Sequence, residues 1–198
     1  MTVIEELKIK NVIISKQGKD CANLEKFKKI VGKKNTNVKV VGKGDRVQIE
    51  KNLYLDILWP DNQNLISDNI LNNNSIVCKL KYKSFSCVFT GDIEELAEKQ
   101  ILHEYKNNKD LFKSTILKVA HHGSKTSSSN DFLKAVCPNI ALIGVGENNK
   151  FGHPNDEVIK RLKIIESKIY RTDESGEITL NIDKKGKIKI KKFIKEEK

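Results

Sequence analysis

Arginine is nearly absent from a chain that is otherwise strongly basic. Of the 37 Lys and Arg residues only Arg46, Arg161 and Arg171 are arginine, and the net charge is +11. Bidentate phosphate recognition favours guanidinium forks, so the charge reads first as a solvated lysine surface, with a polyanion-binding face as the competing reading. No apolar run approaches the roughly 20 residues that a membrane-spanning helix needs. Met1-Thr2-Val3-Ile4-Glu5-Glu6 also lacks the basic-then-apolar order of a signal peptide, so the chain on its own reads as soluble. Cys21, Cys78, Cys87 and Cys137 include no CxxC pair, which argues against a zinc ribbon and against a dense disulfide framework. Cys78, Cys87 and Cys137 lie in or beside apolar segments and are expected to be small buried thiols. P-loop, GxSxG and dinucleotide fingerprints are missing. Histidine does not occur anywhere in residues 1–102.

The 198 residues suit one domain of 1–198, and 38% hydrophobic against 32% charged residues describes a foldable chain, not a disordered one. Asn11 to Ser15 reads as a short buried strand, and Cys21 to Val31 carries the helical spacing Leu24, Phe27, Ile30, Val31. Val38 to Val41 is a second strand. Val47 and Ile49, then Leu53, Leu55, Ile57 and Trp59, alternate about Glu50-Lys51-Asn52 and predict a hairpin with one face buried. Asn62 to Asn74 is expected to be a flexible connector. Ser75 to Leu80 and Ser84 to Thr90 form a further strand pair. Ile93 to Tyr105 is an amphipathic helix, on which His103 reads as a plain surface residue. Thr115 to Ala120 is a strand that delivers His121 and His122. Ser129 or Asn130 caps the next helix, Ile140 to Val145 is a strand, and Asn155 or Asp156 caps a helix holding Val158, Ile159, Leu162 and Ile165. Ile169-Tyr170 is a short strand, and a β-hairpin over about 176–194 closes the chain about Lys184-Lys185-Gly186. The class is mixed α/β with at least two layers.

Chemistry concentrates in Lys118-Val119-Ala120-His121-His122-Gly123-Ser124-Lys125-Thr126-Ser127. Adjacent strand residues point to opposite faces, so one of the two histidines would enter a site and the other would support it or join the core. Ser124, Thr126, Ser127, Ser128 and Ser129 form either a solvated turn or an anion cradle beside the imidazole. Asp92, just past an apolar strand, is either the cap of the following helix or a metal ligand. His153, held extended by Pro154, is either a surface residue or a group on the substrate side. Taken together, one Asp, one strand-end His and a loop His make part of a hydrolytic metal site.

Asn73-Asn74-Ser75-Ile76-Val77, Phe89-Thr90-Gly91-Asp92-Ile93, Leu117 to Ser124 and Phe151-Gly152-His153-Pro154 occur in an order that resembles one family. Tyr170-Arg171-Thr172-Asp173 with Gly176-Glu177-Ile178 extends the match. The family is the metallo-β-lactamase-fold domain at the C-terminus of the DNA-uptake competence protein ComEC, with its stand-alone relatives, and the resemblance covers residues 9–193. It implies an αββα sandwich with mixed sheets and flanking helices, and a hydrolase with two divalent ions, zinc or manganese, acting on DNA or another phosphodiester. By position Asp92 resembles the metal-bridging carboxylate, and the His121–His122 pair supplies a later ligand. The resemblance places Ser124, Thr126 and Ser127 near substrate, and His153 on the substrate side or behind the ligands. Catalysis would then fall to Asp92, His122 and His153.

The HxHxDH signature of that family does not occur in this sequence. The chain is therefore expected to be the C-terminal portion of the sandwich, to bind metal weakly and to hydrolyse little. An uncovered apolar sheet face is expected with it, favouring self-association or a partner chain. A non-catalytic nucleic-acid-binding or assembly module using the lysine-rich surface is the alternative. The lack of a signal suggests the cytoplasm, whereas the competence-protein domain belongs to a membrane protein.

Overall fold

Apolar residues alternating with polar ones along Leu53, Leu55 and Ile57 make a strand with one apolar face, and a large sheet grows on either side of it. The computed structural model describes residues 2–16 and 22–194. The elements are α1 (Thr2–Glu6), β1 (Asn11–Ser15), α2 (Ala22–Lys33), β2 (Asn37–Val41), β3 (Arg46–Glu50), β4 (Leu53–Trp59), α3 (Ile70–Asn73), β5 (Val77–Tyr82) and β6 (Phe85–Phe89). They continue with α4 (Glu95–Glu104), β7 (Ile116–Lys118), α5 (Asn130–Val136), β8 (Ile140–Ile143), α6 (Asp156–Ile164), β9 (Lys168–Arg171), α7 (Thr172–Ser175), β10 (Ile178–Ile182) and β11 (Ile188–Lys192). No helix among the described residues is long and apolar enough to cross a membrane.

Strands β3 to β9 form one seven-stranded sheet in chain order. Neighbours are antiparallel from β3 to β6 and parallel from β6 to β9. Parallel neighbours need a crossover, and α4, α5 and α6 lie in those three connections. These helices cover one face of the sheet. Val88, Leu117, Ala141 and Ile143 from the strands join Ala97, Ile101, Phe132, Leu133, Val158 and Leu162 from the helices in one buried cluster.

The opposite face is covered by two small sheets. Leu180, Ile182, Ile188 and Ile190 of the β10–β11 hairpin pack on Phe85, Cys87, Ile116 and Ile140. The parallel β1–β2 pair brings Ile13 and Val41 against Ile57 and Cys78. Leu80 lies at the hairpin and Cys78 at the β1–β2 pair. Two residues apart on β5, they share a face, so both small sheets sit on the side away from the helices. The architecture is mixed α/β with mixed sheets and flanking helices, as the strand and helix pattern predicts.

Several expectations change in detail. Where an uncovered apolar sheet face is expected, the hairpin covers β6 to β8, and exposed apolar residues remain at Val38 and Val40 of β2, Ile49 of β3, Phe89 of β6, and Phe193 and Ile194 past the hairpin. Cys78 and Cys87 are buried, and burial pushes their thiols up to about 11 and about 12. Cys137 is exposed instead, because it sits in a left-handed conformation just past the last turn of α5. Cys21, the expected start of α2, lies outside the described residues. The fourth helix begins at Glu95 with Glu94 in the capping position, so Asp92 caps nothing. Strand β7 ends at Lys118, which leaves His121 and His122 outside any strand.

The Asn-rich stretch 62–74 is not a loose connector. Asn73 and Asn74 are buried, at 0% and 3% exposure. The Asn74 amide donates to the carbonyls of Ile66 and Ile70, and its oxygen accepts from Ile66 N. Trp59 Nε1 donates to Asn73 O at 2.7 Å. The amides act as substitute backbone, satisfying a fold-back that lacks a ladder of its own. Asn74→Ala strands these three backbone groups and is expected to cost about 2–3 kcal/mol of stability. Urea unfolding checks this; a loss below about 0.5 kcal/mol, the range of ordinary surface changes, would contradict it.

Candidate functional site

Parallel strands β6, β7 and β8 end level with one another, with Phe89 beside Lys118 and Lys118 beside Leu142. Segments leaving the carboxyl ends of such strands line the usual ligand crevice of an open α/β sheet. Here they are Thr90-Gly91-Asp92, Val119 to Ser129, and Gly144 to Pro154.

The first segment is locked before Asp92. Thr90 is fully buried and its hydroxyl donates to Lys118 O at 2.7 Å. Gly91 has φ +54, and a Cβ there would stand 2.6 Å from Ser75 Cβ, so only glycine fits. Asp92 N donates to Ser75 Oγ at 3.2 Å, and Gly91 O accepts from His121 N at 3.1 Å. Asn73 Oδ1 accepts from Glu94 N at 3.0 Å, so the buried Asn pair also sets the start of α4.

His121 and His122 lie in a short 3₁₀ turn, both left-handed, with φ 47 and 55. Backbone strain of this kind persists only where surrounding contacts over-determine it. Strand alternation therefore does not separate the two rings; the turn does. His122 Nδ1 lies 2.6 Å from Gly144 O. A carbonyl only accepts, so Nδ1 carries a hydrogen, and in the neutral ring the lone pair is on Nε2. That Nε2 stands 3.9 Å from Asp92 Oδ1. His121 turns the other way, its Nδ1 3.6 Å from Glu94 Oε1, buried and without a hydrogen-bond partner. Gly123 follows at φ +83, where a Cβ would meet Pro154 Cβ at 2.7 Å. This close approach brings in the His153 loop, whose ring centroid is 5.8 Å from that of His121 and stacks with Phe151.

The hydroxyl loop is rigid and largely self-satisfied. Ser124 Oγ and Thr126 Oγ1 share a hydrogen bond at 3.0 Å, and Thr126 Oγ1 reaches Glu94 Oε1 at 3.2 Å. Ser127 is 1% exposed, and its hydroxyl donates to Ile93 O. The N–H groups of Ser128 and Ser129 donate to the buried Glu98 carboxylate, and Arg161 donates to the carbonyls of Ser127 and Ser128. Burial pushes the Glu98 carboxyl up, while Ser128 and Ser129 pull it the other way. The Glu98 carboxyl therefore already occupies the donors that a cradle would offer. Ser124 and Thr126 connect to His121 through Glu94, whereas Ser127 is sealed from solvent.

The chain is similar to a ComE operon protein and to a bacterial competence protein. It is 30% identical over 176 residues to ComE operon protein 3 of Bacillus subtilis, covering 89% of this chain and 22% of that one. It is 32% identical over 142 residues to competence protein ComA of Neisseria gonorrhoeae, covering 70% and 20%. The chain belongs to the ComEC-type competence-protein family. No protein-family model matches it. The metallo-β-lactamase-fold protein YhfI of Bacillus subtilis aligns at 12% identity and TM-score 0.44, over 81% of this chain and 62% of that one, too loosely to transfer any residue. The chain spans about a fifth of the length of the two competence proteins.

In this ComEC-type domain Asp92 and His122 are donors of kinds that divalent ions accept, one carboxylate oxygen and one imidazole nitrogen with its tautomer set. Among the described residues no three His, Cys, Asp or Glu side chains come together as a metal-binding group. The donors fit an ion in type and orientation but not in number. Glu94, which the sequence presents only as part of a polar helix face, is the carboxylate that faces His121. Its signal was its place two residues after Asp92, at a helix start.

Burial, then His121 and His122, hold His153 below the ordinary value of 6.5. Its contribution to stability is thus complete above 6.5 and declines as pH falls through the lower folded value. An NMR titration of the imidazole signals should place His153 below 6.5; a midpoint above that value would contradict the packing described.

Proposed function

We propose that this ComEC-type domain contributes the Asp92–His122 edge of a metal-dependent phosphodiester-hydrolysing site, with DNA as the substrate suggested by the competence relatives. The observation that carries the reading is the His122 ring. Its Nδ1 is committed to Gly144 O and its Nε2 is turned toward Asp92. A ring serving only packing needs no such commitment.

In this reading His122 and Asp92 are the residues that would hold an ion. When bound, a divalent ion would polarise a phosphoryl oxygen and acidify water. The chain's own groups orient and support. Gly144 O keeps His122 in one tautomer. His121, facing Glu94, supports the site from behind as the second member of the pair. Ser124 and Thr126 stand at the substrate side, with Ser127 behind them. His153 lies beside His121, where a mostly neutral imidazole can accept or pass a proton. Ligands beyond Asp92 and His122 would come from outside the described residues.

Two donors leave most of a coordination sphere to water, so these residues alone should hold zinc or manganese weakly and turn over little substrate. Isothermal titration is expected to show weak binding, further reduced in Asp92→Ala and His122→Ala. Tight stoichiometric binding, or binding indifferent to both substitutions, would overturn the assignment.

One observation favours the non-catalytic reading, a polyanion-binding module. Lys189 and Lys191 are exposed on β11 opposite Asn181 and Thr179, with no ion pair to either lysine among the described residues. If this surface binds DNA backbone, affinity must fall linearly in log–log with salt, and Lys189→Gln with Lys191→Gln must lower that slope by about 2. A flat salt dependence excludes it.

A further inference from the structure

One cation stands at this edge with almost nothing to do. Strand β7 places Ile116 in the cluster under the hairpin and Leu117 in the cluster under the helices. By alternation Lys118 lies on the hairpin side, at the strand's last position. Its ammonium is half-buried and makes one hydrogen bond among the described residues, to the adjacent Val119 carbonyl at 3.0 Å. No carboxylate among the described residues forms an ion pair with it.

An ammonium drawn out of water without an ion pair is costly, and burial accordingly lowers the affinity of Lys118 for its proton, with the charge of Asp92 acting against the shift. The contrast with Lys79 is instructive. Lys79 is 5% exposed, and its ammonium donates to both Leu111 O and Lys113 O, a structural clasp. Lys118 has donors to spare.

The surroundings keep those donors clear. At residue 144 an added Cβ would stand 3.3 Å from Lys118 Cε and 3.9 Å from Nζ. Gly144 is also the residue whose carbonyl holds His122. One bare glycine thus orients the imidazole and makes room for the ammonium, while Asp92 faces both by contact or by charge. A spare, partly desolvated point charge beside a carboxylate and an oriented imidazole is matched to an anion with oxygen acceptors.

We propose that Lys118 is a substrate-contacting cation of this site, donating to a non-bridging phosphoryl oxygen alongside Asp92 and His122. The proposal rests on the phosphodiester reading for the identity of the anion, but not on metal being bound. Its role would be to bind and orient the phosphoryl group and to offset its negative charge.

The test is a titration of the whole chain with inorganic phosphate at constant ionic strength and without added metal. The Lys118 ε-methylene NMR signals and the binding constant are followed together. Phosphate should shift those signals saturably. Lys118→Met should weaken phosphate binding at least tenfold without lowering the urea midpoint, because an uncompensated buried charge is removed. Lys118→Arg should restore part of the affinity. Gly144→Ala, which keeps the charge but crowds it, should weaken binding as well. Unmoved Lys118 signals, or phosphate affinity equal in wild type and Lys118→Met, would overturn the proposal. So would a Lys118→Met chain that only loses stability, since that describes a structural lysine. Because no metal is present, the metal titration can fail while this result stands, and the reverse.

Discussion

The level ending of three parallel strands is the constraint on which the site depends. Phe89, Lys118 and Leu142 are neighbours in register, so the segments leaving β6, β7 and β8 emerge at one edge within reach of each other. A slip of one residue in any of these ladders would exchange its helix-facing and hairpin-facing residues and carry Asp92, His122 or Gly144 away from the others. The register is set by the buried residues on both faces: Val88, Leu117 and Ala141 toward the helices, and Cys87, Ile116 and Ile140 toward the hairpin.

Around this edge the fold uses polar side chains where regular structure stops. Asn74 completes the backbone of the 66–74 fold-back, Asn73 anchors Glu94, Ser75 accepts from Asp92 N, and Glu98 gathers the Ser128 and Ser129 N–H groups. Each is buried or nearly so, where an unmatched polar group is expensive. Each also lies one or two contacts from a candidate site residue. The rigidity of the site is therefore made by loops, tied down one hydrogen bond at a time, and not by the helices.

Much of this was legible in the chain. Periodicity located the β3–β4 and β10–β11 hairpins and the apolar faces of α4 and α6, because burying one face of a regular element leaves a repeating mark. Asp92, the His121–His122 pair and His153 announced themselves by residue type and by position after apolar runs. Glu94 and Lys118 did not. A glutamate at a helix start and a lysine at a strand end are the commonest surface residues, and only the position of His121 and Gly144 makes them unusual. Asn62 to Asn74 misled for a related reason: Asn-rich composition marks surface loops and amide-braced buried ones alike.

By itself the sequence determined the element types, the mixed α/β class, the family and the residues able to carry chemistry, since these follow from local spacing and side-chain identity. Which histidine faces Asp92 was decided only in three dimensions. Strand alternation would have separated the rings, but β7 stops at Lys118 and both histidines enter a left-handed turn. That turn is held by His121 N on Gly91 O and by Gly123 packed against Pro154, contacts with residues 30 and 31 positions away in sequence. Long-range contacts of this kind leave no periodic trace, so the tautomer of His122 and the bare surroundings of Lys118 belong to the tertiary structure alone.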